Sequence, residues 1–264
     1  MVKPRLCFTL LLSEGKFNLS RNFNLQSVGD FEWLMENYEF DSIARSIDEL
    51  IILNVGNDED DYTIFINTLQ KVIKHCFMPV AVGGRIRTTD QAKSLFDNGA
   101  DKIILNNAFF RDSKLVSSLA NYYGTQSIIA SIDYKRNEIG GAEIFLNGGT
   151  ENTRHCLSEA IKNAAEIGAG ELYLTSIDRD GTGMGFDVDA LQVAHDSCDL
   201  PIIAAGGADT SDQLLEGLSS GYVSGVSTSH LFNFMGDGLQ DARSELMKSG
   251  ITLSQWNFYE LDRC

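Results

Sequence analysis

Apolar residues in this chain gather in short, nearly unbroken runs. The runs Leu6–Leu12, Glu49–Val55, Val80–Val82, Lys102–Asn106, Ser127–Asp133, Glu171–Ser176, Ile202–Ala205 and Gly225–Ser227 read as eight strands. Strands that are apolar throughout suit a parallel sheet covered by helices. Amphipathic stretches separate most of them, among them Thr89–Asn98, Ser113–Tyr122, Thr153–Ile167 and Ser211–Leu218, and these are predicted helices. Eight strand–helix alternations predict the α/β class and a closed (β/α)8 barrel. Two stretches break the rhythm. Ser13–Asp30 follows the first strand as a long polar loop, and Tyr134–Gly149 follows the fifth and should include a small hairpin. Both belong on the C-terminal face, where such barrels carry their chemistry.

The two halves of the chain repeat each other. A shift of 122 residues sets Pro79 on Pro201, Gly84 on Gly206, Asp90-Gln91 on Asp212-Gln213, Gly99 on Gly221 and Glu49 on Glu171. A duplicated half-barrel explains the match. The chain therefore reads as one domain over 1–264, with half-barrels at about 1–122 and 123–244 and a C-terminal extension 245–264. The same shift exposes an asymmetry: Asp133 ends the fifth strand, but its counterpart on the first strand is Leu11.

Composition narrows the function classes. A net charge of −16 repels phosphodiester backbones and anionic lipid, so nucleic-acid and membrane partners are not expected. Five cysteines without a CxxC pair are no disulfide framework, and with no signal-like start or bilayer-length apolar run they suggest a cytoplasmic protein. Four scattered histidines predict no metal site, and no cofactor motif is present.

Glycine pairs follow the third and seventh strands, Gly83-Gly84 and Gly206-Gly207. Glycines let backbone amides approach a phosphate at the next helix N-terminus, although the same glycines could serve only a tight turn. Asn106-Asn107 and Ser229-His230 are candidate partners on the neighbouring strand ends, and two such sites suit a ligand with a phosphate at each end. Arg85, next to the first pair, could add a phosphate contact or fill the ligand's space. In the loop after the sixth strand, Asp178 could be a turn-capping residue, while Asp180 is a candidate catalytic residue and Gly181 a candidate phosphate contact. Asp133 is a candidate general acid or base, or else a rim carboxylate paired with Lys135.

The segments GADKIILN (99–106), SIDYKR (131–136), GAGELYLTSIDRDGT (168–182) and PIIAAGGA (201–208) resemble the cyclase subunit of imidazole glycerol phosphate synthase, from Arg5 to about Phe234. The resemblance implies a TIM barrel that receives ammonia from a partner glutaminase and carries it through its interior. It implies a charged gate of Arg5, Glu49, Lys102 and Glu171 at the strand N-termini, a glutaminase contact at Asp101, and two catalytic aspartates, of which Asp133 remains and Leu11 replaces the other. Phosphate contacts are implied at Gly83, Gly84, Asn106, Asn107, Gly181, Gly206, Gly207, Ser229 and His230. The family's first-loop lysine falls at Leu19, and the glycine after its first pair is Arg85. Leu10-Leu11-Leu12 is similar to a branch whose barrels feed ammonia to an ATP-dependent sugar amidotransferase that makes acetamidino groups on surface polysaccharides. The expectation is an ammonia-conducting barrel with a degraded cyclase site. The alternatives are a working histidine-pathway cyclase, with Glu14 standing in for the lost acid, and a phosphosugar-binding or regulatory barrel.

Overall fold

The computed structural model describes residues 3–254 apart from positions 39, 44 and 58–61. In chain order the elements are β1 (Arg5–Ser13), β2 (Lys16–Arg21), β3 (Asn24–Gly29), α1 (Phe31–Asn37), α2 (Phe40–Ile43), β4 (Glu49–Asn54), α3 (Tyr62–Ile73), β5 (Val80–Gly83), α4 (Thr89–Asp97), β6 (Lys102–Leu105), α5 (Asn107–Arg111), α6 (Ser113–Tyr123), β7 (Ile128–Arg136), β8 (Ala142–Leu146), β9 (Glu151–Cys156), α7 (Leu157–Ile167), β10 (Glu171–Ser176), α8 (Val188–His195), β11 (Ile202–Ala205), α9 (Ser211–Ser219), β12 (Gly225–Thr228) and α10 (Gly238–Lys248). Eight of the strands form a closed parallel ring in the order β1-β4-β5-β6-β7-β10-β11-β12, and β12 returns to β1. This is the expected (β/α)8 TIM barrel.

Strand parity sorts the side chains into two cores. Leu6, Phe8, Leu10 and Leu12 of β1 join the helices in the outer core, as do Leu50 and Ile52 of β4. The intervening residues Cys7, Ile51, Ala81, Ile104, Ile129, Tyr173 and Ile203 form a separate core inside the ring. Both faces of each strand are therefore apolar through most of its length, as the unbroken runs predict.

The interruptions are strands as well. The Ser13–Asp30 stretch is a β-hairpin, in which β2 pairs antiparallel with β1 and β3 with β2. The stretch after β7 forms β8 and β9, each antiparallel to its predecessor. The helix predicted over Thr153–Ile167 begins only at Leu157, because Glu151–Cys156 is taken up as β9. Glu159 accepts the Cys156 N–H at 3.4 Å and marks the true helix start. Each hairpin follows the first strand of its half, so the two extensions obey the repeat.

The halves also share their glycine turns. Gly84 (φ +91°) and Gly206 (φ +82°) sit where a Cβ would lie 2.1 Å from the Asn54 carbonyl oxygen and 2.6 Å from that of Ser176. Asn54 and Ser176 are themselves related by the 122-residue shift. Each turn crosses its neighbouring strand end too closely for any side chain.

Candidate functional site

At the barrel floor the first residues of β1, β4, β6 and β10 bring Arg5, Glu49, Lys102 and Glu171 together. Arg5 bonds Glu49 at 2.6 Å and also Glu171, and Lys102 lies 2.9 Å from each glutamate. The four side chains close a ring of alternating charge, with both carboxylates buried. Burial pushes the Glu49 carboxyl above its ordinary range despite Lys102 and Arg5. Burial acts on Glu171 too, but the Arg5 hydrogen bond and charge, with Lys102, outweigh it and hold that carboxyl low. Beside the ring, Asp101 is exposed and accepts the Val80 N–H at 2.8 Å.

Above the ring lies the inner apolar core, with Cys7 nearest the charges and held as a neutral thiol by burial. Above that, three buried hydroxyls meet: Thr9 Oγ1 lies 3.0 Å from the Tyr173 hydroxyl and 2.7 Å from Ser227 Oγ. They form the base of a cavity of about 710 Å³ that opens at the C-terminal face. Sequence reading missed this trio. Its signal is strand parity, since Thr9 and Tyr173 continue the inward series begun by Arg5 and Glu171.

Asp133 and Leu11 both line that cavity. Asn106 Nδ2 donates to Asp133 at 3.1 Å and to the Ser131 carbonyl at 3.0 Å, so Asn106 serves the carboxylate. The Asp133 carboxyl is pushed up to about 7, chiefly by burial, and the Asp180 charge adds to this while hydrogen bonds from Thr175, Ser131 and Asn106 oppose it. A carboxyl poised there can give or take a proton at neutral pH. Opposite it, Leu11 offers only methyl groups. Glu14 is exposed in the turn between β1 and β2 and does not line the cavity.

The other sequence candidates surround the mouth. Asp180 is buried and receives the Ser20 hydroxyl and, at 3.0 Å, the Phe23 N–H. Asn22 adds a side-chain bond to each of the Ile177 and Asp178 carbonyls at 2.9 Å. The tip of the β2–β3 hairpin, with Asn22 and Phe23 both at positive φ, is thereby stapled to the loop after β10. Gly181 permits this, because a Cβ there would sit 2.0 Å from the Ser20 carbonyl oxygen. Asp178 accepts the Arg136 N–H at 2.7 Å and so ties the loop after β10 to the end of β7. Lys135 reaches the Gly149 carbonyl at 3.0 Å rather than Asp133.

Gly84, Asn106, Asn107, Arg85, Arg87 and Arg111 face the large cavity. Gly83 lies behind them in β5, where an added Cβ would meet Ile104 at 2.6 Å. In the second half Gly206, Gly207, Ser229, His230 and Gly181 line a recess of about 20 Å³ together with Asp180 and Asp209. His230 Nδ1 accepts the Asn233 N–H at 3.2 Å, which leaves Nε2 to carry the proton. Among the described residues no group of three or more His, Cys, Asp or Glu is placed to hold a metal ion, and no helix is long and apolar enough to cross a membrane.

The model of the histidine biosynthesis protein family matches residues 21–235. A protein of Parasynechococcus marenigrum (strain WH8102) named "Putative imidazole glycerol phosphate synthase subunit hisF2" is 40% identical over 257 residues, covering 97% of this chain and 95% of its own length. With the closed barrel, the charged floor and Asp133 in place, the chain belongs to the histidine biosynthesis protein family.

Proposed function

We propose that this chain is the barrel subunit of a glutamine amidotransferase pair, that ammonia from a glutaminase docked at the floor passes through its interior, and that its mouth is not a working cyclase. The observation that carries this reading is the contrast between the two ends: the floor ring has all four charges paired, while at the mouth Asp133 on the fifth barrel strand is matched by Leu11 at the corresponding place on the first. An acid–base reaction that needs two groups loses several orders of magnitude without one of them. Glu14 does not compensate, since it points to solvent from a turn.

Exposed aromatics support a partner at the floor. Phe77, just before β5, and Tyr122, at the end of α6, are 69% and 79% exposed beside the strand N-termini. Large exposed aromatic side chains suit a protein interface. Asp101, on the same face, is the proposed polar contact. The ammonia acceptor in this reading is a separate enzyme, and an ATP-dependent sugar amidotransferase of surface-polysaccharide synthesis fits the Leu10-Leu11-Leu12 segment. A second reading, a histidine-pathway cyclase, is favoured by the name of the relative from Parasynechococcus marenigrum.

The test is to combine the chain with the glutaminase subunit of its own organism and follow glutamine hydrolysis. Stimulation that Glu49→Ala or Lys102→Ala abolishes is expected. A glutaminase that neither binds the chain nor responds to it would refute the partnership.

A further inference from the structure

The proposed passage is closed as the chain stands. Cys7, Ile51, Ala81, Ile129 and Ile203 fill the barrel interior between the charged ring and the mouth, and none of the five exposes any surface. An interior packed in this way leaves no room for a molecule the size of water or ammonia. The cavity of about 710 Å³ reaches down to Thr9, Tyr173 and Ser227 and stops there, touching none of the five. Ammonia can pass only if a side chain at that boundary moves.

Tyr173 is placed to do so. It is the largest side chain of the inner core and belongs to β10, yet its hydroxyl meets Thr9 on β1, three strands further round the ring. The phenol therefore lies across the interior at the base of the cavity. The repeat does not require it there: the 122-residue shift sets Tyr173 on Ile51, just as it sets Glu171 on Glu49. Cys7 and Ala81 are too short for their rotation to open a path, and branched isoleucines are stiff at χ1. Tyr173 is held at its tip by hydrogen bonds between neutral groups, the weaker kind, and has the open cavity above to move into. The trio also suits ammonia chemically. Each hydroxyl has two lone pairs, and the Thr9–Tyr173 and Thr9–Ser227 bonds leave several of these to accept an N–H.

We propose that Tyr173 is an inner shutter of the ammonia passage. Closed, its hydroxyl is bonded to Thr9 and its ring separates the apolar core from the mouth, which keeps mouth water out of the core between turnovers. Open, the ring swings into the cavity and exposes the column above Cys7. The freed Thr9 and Ser227 hydroxyls then accept the N–H groups of neutral ammonia as it leaves the core. The proposal rests on the ammonia reading and adds to the charged ring a second control point at the other end of the core.

Cys7, buried beneath the shutter, is the reporter. Cys76→Ser, Cys156→Ser, Cys198→Ser and Cys264→Ser in the full chain leave it as the only thiol. The rate at which methyl methanethiosulfonate labels it, read by mass spectrometry, measures how often the interior opens. Tyr173→Phe keeps the ring and removes the hydroxyl, and it should raise the rate about tenfold. Thr9→Val removes the anchor from the other side and should act similarly, and Tyr173→Ile, the residue of the first half, should raise the rate further. Thr210→Ala weakens a helix cap outside the barrel and should leave the rate within about twofold, which separates a shutter from general unfolding. Unchanged labelling in the folded Tyr173→Phe and Thr9→Val chains, or an equal rise in the Thr210→Ala chain, would overturn the proposal. Labelling needs no glutaminase, whereas the ammonia reading is tested by stimulation of one, so the two can fail separately.

Discussion

Lys102→Met removes one cation from the floor ring while keeping most of the side chain's apolar volume. It leaves Glu49 and Glu171, which are 1% and 5% exposed, sharing Arg5. Breaking a buried ion pair by removing one partner costs about 3–5 kcal/mol. Here Arg5 still bonds both carboxylates and the Lys102 side chain is 21% exposed, so the expected cost at pH 8 falls to about 2 kcal/mol. The loss should depend on pH in a fixed direction. Glu49 already sits above its ordinary value of 4.5, and losing Lys102 raises it further. A carboxyl raised in the folded state adds stability that is complete below its unfolded pKa and is lost as pH rises through its folded pKa. The variant can therefore protonate Glu49 at low pH and recover part of the deficit. Urea unfolding of both proteins at pH 5 and pH 8 measures it, since groups common to both cancel. A deficit of about 2 kcal/mol at pH 8 that is smaller at pH 5 is expected. A deficit below about 0.5 kcal/mol at pH 8, or a larger one at pH 5, would refute a coupled charge ring.

Asp133→Asn should stabilise the protein at pH 8 by roughly 1–2 kcal/mol, because Asp133 titrates near 7 rather than 3.8 and its contribution is lost as pH rises through 7; the gain should shrink at pH 5, as read by unfolding at both pH values. Arg243→Leu should cost about 3 kcal/mol in urea unfolding, because Arg243 makes a buried two-point bond to Asp48 at 3.0 and 2.9 Å, and Asp48 also accepts the Leu6 N–H at 2.8 Å. Thr88→Ala and Thr210→Ala should each cost about 1 kcal/mol and add in the double variant, since they cap separate helices on opposite halves; a double cost far from the sum would mean that the turns are coupled.

Much of this was legible because β-strand parity and the repeat are local signals. The eight apolar runs locate all eight barrel strands, while the floor ring was named through the family resemblance. The 122-residue shift alone exposes Leu11 against Asp133. What escaped the sequence depends on partners far apart in the chain. Ser20 and Phe23 meet Asp180 only because a hairpin crosses the mouth, and loops rich in Asn and Gly read as irregular when their strands are short and polar. The run from Thr153 to Cys156 looks helical for a similar reason: its polar residues carry no period-two signal, and only pairing with β8 makes it part of a strand. Asn106 resembled a phosphate ligand by its place after the glycine turn, and its bond to Asp133 needed three-dimensional neighbours.

The central claim is that the floor is intact while the mouth cannot cyclise. The most direct measurement is turnover of the histidine-pathway cyclase substrate by the purified chain with excess ammonium salt, which supplies nitrogen without a glutaminase. The account predicts no turnover above background, against ready turnover by a family member with an aspartate at the Leu11 position. Turnover by this chain at a comparable rate would contradict it and would mean that Asp133 suffices or that another group takes the place of the missing acid.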